Sequence, residues 1–450
     1  MPRNGSPHRR GRVHIVLIPG FAGFDALGQM EYYAGVTPQF HRWKKLPGRG
    51  RFDLDLHYFD NFPTAAVRTR AARLRNYLAK RIARGEFVAG DEIVLVGHST
   101  GGLDIRWLLW KLNESPDQKL ALDGATGNDF MVPAKEILHL IKRVVFLSVP
   151  QLGTNIADWV RSHAIGRDLV VADLRASVTA SQAPVVDTLQ QRILDYAAKG
   201  SRLGVALAIR DAMSEAEADA GGDPMCVASA QEAASELQLW LRHIATNFHA
   251  IDDLALGNAH GDPESPAHFN DEMREEEKTA WKRHGIATRS YATVGARPFA
   301  FSPGRPAELW DLLKPSTYPE FTPRQHPAPH TDFVYRGIYR ACAGGPFTLR
   351  DNQPIPEPFL VADNSPLEPE SWDNDGIVNT ASMLWPNKEH TLLVSADHMD
   401  IVGHYAPVHA APECHRRKYQ AYDLFKSGSG FDDAGFAKVW NDIFDYCVSG

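Results

Sequence analysis

Residues 93–102 read Ile-Val-Leu-Val-Gly-His-Ser-Thr-Gly-Gly, an apolar β-branched run that ends in glycines around a serine. From Leu103 to Leu112 the apolar residues resume a helical period. Strand, tight turn and helix in immediate succession leave the backbone little choice. The turn must fold back on the strand, and side chains at Gly97 and Gly101 would collide with the strand or the helix. Ser99 stands at the apex. The helix start beyond it presents backbone N–H groups and positive potential to any anion that develops there. The arrangement marks Ser99 as a nucleophile. The bland alternative, a glycine-rich turn with a chance serine, is disfavoured by the flanking strand and helix.

The remaining elements follow from the same kind of signal. Val13–Ile18 is a short β-branched run closed by Pro19-Gly20 and reads as a buried strand. Phe52–Phe59 alternates in part and reads as a second strand. Between Thr64 and Arg84 apolar residues fall at Val67, Ala71, Leu74, Leu78 and Ile82, which predicts a helix with its arginines on the other face. Glu92–Val96, Arg143–Ser148, Ser290–Val294 and His390–Ser395 read as further strands, and Phe436–Val448 as an amphipathic helix. Strands alternating with helices predict a mostly parallel central sheet with helices on both faces. Residues 155–250 are rich in alanine and helix formers, and 298–370 are proline-rich and irregular, long for a loop in a compact domain. The expected organisation is a core in two parts, 13–154 and 286–450, interrupted by a mainly helical cap at 155–285 and by the irregular excursion at 298–370.

A serine hydroxyl is a poor nucleophile until a base takes its proton, and that base is normally a histidine held by a carboxylate. On a strand–elbow–helix scaffold the chain order is serine, acid, histidine. Trp372-Asp373-Asn374-Asp375-Gly376-Ile377 offers an acid in a turn, and Ser395-Ala396-Asp397-His398-Met399-Asp400 follows the last predicted strand. One strand separates the two loops, so both can reach the end of the sheet that carries Ser99. His398 is the expected base, with His404 next and His390 and His409 as rivals. Asp375 is the expected acid, with Asp373 and Asp363 as alternatives. Asp397 and Asp400 are too close in sequence to His398 for the usual geometry and read as solvated loop carboxylates.

Composition bounds the partners. The 450 residues are 44% hydrophobic and 23% charged, enough apolar content for a core of normal size. The formal net charge of −7 is a mild acidic excess, and the one basic cluster, His8 to Arg12, reads as a solvated tail. No nucleic-acid surface is therefore expected. Cys226, Cys342, Cys414 and Cys447 form no CxxC pair, which argues against a zinc site and for reduced thiols. No run approaches the roughly 20 apolar residues that span a bilayer, and no signal-type apolar segment is seen. A cytoplasmic protein without a transmembrane segment is expected.

The first loop reads Pro19-Gly20-Phe21-Ala22-Gly23-Phe24-Asp25, followed by Glu31-Tyr32-Tyr33-Ala34-Gly35-Val36. With the elbow around Ser99, Ser148 to Thr154, Asn374 to Thr380 and Asp397 to Gly403, it resembles the bacterial true lipases of the Pseudomonas and Burkholderia type and the thermoalkalophilic Bacillus-type lipases. The resemblance covers residues 13–160 and 370–405 and leaves out the middle. It implies the α/β-hydrolase fold, and backbone N–H groups of Phe21 and Thr100 as the oxyanion hole. It departs from the family at Pro19 and Gln151, which stand where those lipases have histidines, and at Ala381, where some carry a disulfide cysteine. The Bacillus-type zinc site has no counterpart here. Asp400 resembles a calcium carboxylate, but its partner positions near His404 and Tyr405 are poor ligands, so neither metal nor cofactor is expected.

The resulting expectation is a carboxylic ester hydrolase, lipase or esterase, working through Ser99, Asp375 and His398 on a small-molecule or lipid ester, with transient contact with a lipid interface left open. An acyltransferase with the same residues and a non-catalytic binding module remain the alternatives. Asp158 to Leu174 reads as a cap helix or a lid. Phe299, Phe301, Trp310, Tyr318 and Phe321 read as packing residues or as part of an acyl pocket.

Overall fold

The computed structural model describes residues 11–21, 26–27, 30–117, 119–121, 131–157, 250–254, 277, 280–296, 335, 339, 342–343, 373–385, 391–405, 425 and 427–449. Most of the cap at 155–285, the segment Asp158 to Leu174, and Phe299, Phe301, Trp310, Tyr318 and Phe321 lie outside them.

Six strands make one sheet: β1 (Val13–Ile18), β2 (Leu54–Tyr58), β3 (Glu92–His98), β4 (Ile141–Leu147), β5 (Ala287–Val294) and β6 (Thr391–Ser395). Their order across the sheet is β6-β5-β4-β3-β1-β2, and every pairing is parallel. Such strands are buried on both faces, which is why β1, β3 and β4 read as continuous apolar runs rather than alternating ones. Among the described residues, the helices longer than five residues are α1 (Val36–Lys44), α2 (Val67–Ala83), α3 (Thr100–Glu114), α4 (Ala134–Leu140) and α5 (Asp433–Val448). They form two groups, α1 with α5 and α2 with α3 and α4, one on each face. This is the α/β-hydrolase fold.

From β1 the chain moves outward to β2, then returns to β3 on the other side of β1 and continues toward β6. The loops leaving β1 and β3 therefore diverge, and a crevice opens between the carboxyl ends of these two strands, the usual ligand position in open α/β sheets.

The α1–α5 face is closed by aromatic packing. Trp440 is fully buried against Phe444, Phe436 and Tyr33, with ring centroids 5.6, 6.1 and 6.2 Å away. Its indole N–H donates to the Ile401 carbonyl at 2.9 Å. Truncating a tryptophan buried in this way costs about 3–5 kcal/mol. Helix α5 thus anchors the turn that follows His398. Two further bonds tie α1 to α5: Gln39 Nε2 donates to Asn441 Oδ1 and the Trp43 indole to Asp445 Oδ1. Among the described residues, no helix is long and apolar enough to cross a membrane. Cys342 and Cys447 are buried free thiols; Cys226 and Cys414 lie outside the described residues.

Candidate active site

The turn between β3 and α3 holds Ser99 at φ 51°, ψ −132°, a backbone conformation that non-glycine residues rarely adopt. Helix α3 begins at the next residue, Thr100. The glycines explain how so sharp a reversal fits. A Cβ at Gly97 would lie 2.7 Å from the Gly101 carbonyl carbon, and one at Gly101 would lie 2.5 Å from the Ile18 carbonyl oxygen. Only bare backbone lets β1, β3 and α3 approach this closely. The Ser99 amide is fixed by a 2.9 Å bond to the Leu147 carbonyl at the end of β4.

Asp375 and His398 meet at the same end of the sheet. His398 Nδ1 lies 2.7 Å from Asp375 Oδ2, and the His398 amide donates to the Asp375 carbonyl at 2.9 Å. Asp375 is fully buried, so every lone pair needs a partner. Its Oδ1 accepts from the Ile377 and Val378 amides at 3.0 and 2.8 Å, and Oδ2 also accepts from the Thr293 hydroxyl at 2.6 Å. A carboxylate receiving this many donors is fixed in place. Facing it, His398 carries a proton on Nδ1 and turns the lone pair of Nε2 away from the carboxylate.

His98, the variable residue of the elbow, links the serine to this pair. Its ring centroid is 4.6 Å from that of His398, and its Nε2 lies 2.8 Å from the His398 carbonyl. Among the described residues, hydrogen bonds join Asp375 to His398 and His398 to His98; none joins Ser99 Oγ to His398. Such bonds are often long in ligand-free enzymes and tighten with substrate.

The loop after β1 is held from two sides. The Gly20 amide donates to the Tyr32 hydroxyl at 2.9 Å, and that hydroxyl lies 2.6 Å from His98 Nδ1. The donors then have one consistent assignment: Gly20 N–H to Tyr32, Tyr32 O–H to His98 Nδ1, and His98 Nε2–H to the His398 carbonyl. Burial, and then the nearby His398, push the His98 imidazole well below its ordinary value, so it stays neutral. On the opposite side Arg70 donates to the Pro19 carbonyl at 2.8 Å and the Gly20 carbonyl at 3.1 Å. In a trans peptide the N–H points away from the C=O, so Arg70 sets the direction of the Phe21 N–H. Asp104 neutralises Arg70 at 2.9 Å, with both side chains fully buried. Burial lifts the Asp104 carboxyl above its usual range, against the pull of Arg70. The loop rests directly on the elbow, since a Cβ at Gly20 would come within 2.5 Å of the Ser99 Cβ.

Two expectations need correction. Arg70 does not lie on the outer face of α2 but is fully buried. Its spacing shows this in retrospect, for Val67, Arg70, Ala71, Leu74 and Leu78 form one helical stripe. Asp397 and Asp400 are not solvated. They are 0% and 2% exposed, because they close the turn around His398: Asp397 Oδ1 accepts from the Met399 and Asp400 amides, and Asp400 Oδ2 from the Asp397 amide and the Ser429 hydroxyl. Of the alternatives, Asp373 accepts from the Tyr339 hydroxyl, and His404 Nε2 lies 3.1 Å from the Tyr32 carbonyl. Asp363, His390 and His409 lie outside the described residues. Sequence reasoning passed over His98, Tyr32, Arg70 and Thr293 as site residues. Gln151 is buried and accepts from Arg106 through both its carbonyl and its Oε1.

Neither a protein-family model nor a curated protein matches the sequence. Solved structures similar to the chain include EstA from Clostridium botulinum, at 14% identity over 96% of this chain and 90% of that one, with a TM-score of 0.41. The mature Bacillus licheniformis lipase BlEst2 is 13% identical over 89% of this chain and 90% of that one, with a TM-score of 0.37. Lipase 1 from Pelosinus fermentans is 14% identical over 87% and 94%, with a TM-score of 0.37. Similarity at this level assigns no reaction to the chain.

Proposed function

We propose that the chain is a serine hydrolase of carboxylic esters, with Ser99 as nucleophile, His398 as base and Asp375 as the acid that orients it. The observation that carries this reading is the 2.7 Å contact between His398 Nδ1 and the buried Asp375 carboxylate, beside a serine in a strained elbow. His398 Nε2 takes the Ser99 proton as Oγ attacks the ester carbonyl. Phe21 and Thr100 offer their N–H groups to the resulting oxyanion. The protonated His398, stabilised by Asp375, then gives its proton to the leaving alcohol. An acyl-serine remains, and water, activated by the same histidine, releases the acid and restores Ser99. The test is hydrolysis of p-nitrophenyl esters from acetyl to palmitoyl by the purified protein. Saturable turnover supports the reading, and the preferred length separates esterase from lipase. A folded protein that turns over none of these esters refutes it.

Tyr32 gives a second, more local expectation. Tyr32→Phe removes the acceptor of the Gly20 amide and the donor to His98 together. Leaving a buried amide unpaired costs about 1–3 kcal/mol of stability. The loop carrying the Phe21 N–H also loosens, so kcat should fall by about tenfold, equivalent to about 1.4 kcal/mol of transition-state stabilisation, with KM little changed. Steady-state kinetics and urea denaturation measure the two effects separately. Unchanged kcat would remove Tyr32 from the positioning chain.

A further inference from the structure

A second group of chemistry-bearing residues sits at the other end of the sheet. His14 is the second residue of β1 and pairs across the strands with Asp55 of β2, while His57 lies two residues further along β2, on the same face. His14 Nδ1 and His57 Nε2 are 3.0 Å apart, and one ligand atom from each of His14, Asp55 and His57 lies within 4.8 Å of the others. From this geometry we propose that His14 Nδ1, His57 Nε2 and the Asp55 carboxylate bind a divalent transition-metal ion, zinc by its preference for this donor set, with water as fourth ligand.

Three features support the assignment. The donor set of two imidazoles, a carboxylate and an open position suits tetrahedral zinc. Tetrahedral bonds of about 2.05 Å place two nitrogens about 3.3 Å apart, so the observed 3.0 Å needs only a few tenths of an ångström of opening. The far nitrogen of His14, Nε2, lies 3.1 Å from Asp91 Oδ2. A carboxylate behind a ligating histidine fixes its tautomer and raises its basicity, a common partner in zinc sites.

The ligands stand on rigid neighbouring strands. Phe87 covers the imidazoles with its ring centroid 4.3 Å from His14 and 5.2 Å from His57. Asp55 opens the site to solvent, with its side chain 42% exposed; Arg12 pairs with its Oδ2 at 3.1 Å. Ser99 follows the opposite end of β3. The ion would therefore clamp β2, which borders the described sheet, to β1, and act on stability rather than on turnover. The inference stands independently of the proposed reaction.

The test uses the full chain, stripped with a chelator and titrated calorimetrically with zinc chloride, and in parallel with cobalt(II) followed by its visible absorption. One equivalent of zinc should bind saturably, the melting temperature should rise, and cobalt should give tetrahedral-type bands. Asp91→Asn should weaken binding 10–100-fold. His57→Gln and the more exposed Asp55→Asn should abolish the cobalt bands and the thermal gain, and Asp55→Asn keeps the test open if His57→Gln does not fold. No saturable binding at one equivalent, or binding that survives unchanged in the folded variants, overturns the assignment.

Discussion

Ser99→Ala should lower the turnover of any ester the wild type accepts by about 10⁶-fold, the scale found when a hydrolase loses its serine nucleophile. The fold should not suffer. Ser99 Oγ takes part in no hydrogen bond among the described residues, its amide bond to Leu147 is backbone, and alanine meets the same left-handed strain as serine. Stability is expected to stay within about 0.5 kcal/mol of the wild type. Ser99→Gly should lose the same activity and gain about 1 kcal/mol, because glycine alone accepts φ 51° without strain. Ester kinetics with thermal melts on all three proteins decide the matter. A folded alanine variant keeping more than a trace of activity would assign the chemistry to another residue.

The second large effect is expected at Asp375. Asp375→Asn changes almost nothing in size but turns an acceptor into a donor. Oδ2 now receives the Thr293 hydroxyl and faces His398 Nδ1; an amide NH₂ in that place meets two donors. Thr293 can turn its proton toward Ser148 Oγ, 2.8 Å away. His398 can satisfy the amide only by moving its proton to Nε2, the nitrogen that has to receive the Ser99 proton. The wrong tautomer costs about 10⁴ in kcat. Oδ1 keeps its bonds to the Ile377 and Val378 amides, so the loss of stability should be limited to about 1–3 kcal/mol. Activity within tenfold of wild type in a folded Asp375→Asn would exclude Asp375 as the orienting acid, and Asp373 would be tested next.

How much of this was readable in the sequence depended on whether a residue's role is local. The strands were legible because central parallel strands are apolar throughout, whatever surrounds them. The helix expected from Leu103 in fact starts at Thr100, since the elbow leaves no room for a linker. Helix α1 passed unnoticed: in Val-Thr-Pro-Gln-Phe-His-Arg-Trp-Lys, only Val36, Phe40 and Trp43 are apolar residues of its buried stripe, and the partner that completes that stripe lies in α5, with Gln39 and Asn441 402 residues apart. Arg70, Asp397 and Asp400 were misread for a related reason. A charged residue is buried only when tertiary structure supplies its counterpart, here Asp104 for Arg70 and the backbone amides of a turn for the aspartates. His98 and Tyr32 gain significance only once the loop after β1 is seen lying on the elbow.

The pairing of α1 with α5 also sets a timetable for the chain as it is made. Gln39 and Asn441 are 402 positions apart, and His98 and His398 are 300 apart. At translation rates of about 5–20 residues per second, roughly 20–80 s separate the emergence of α1 from that of the helix that covers it. Through that interval the ribosome-borne chain exposes one apolar side of its central strands, which makes it a natural client for chaperones. In the proposed mechanism Ser99, too, emerges long before Asp375 and His398, so the nascent chain would have no working centre until strand β6 has docked.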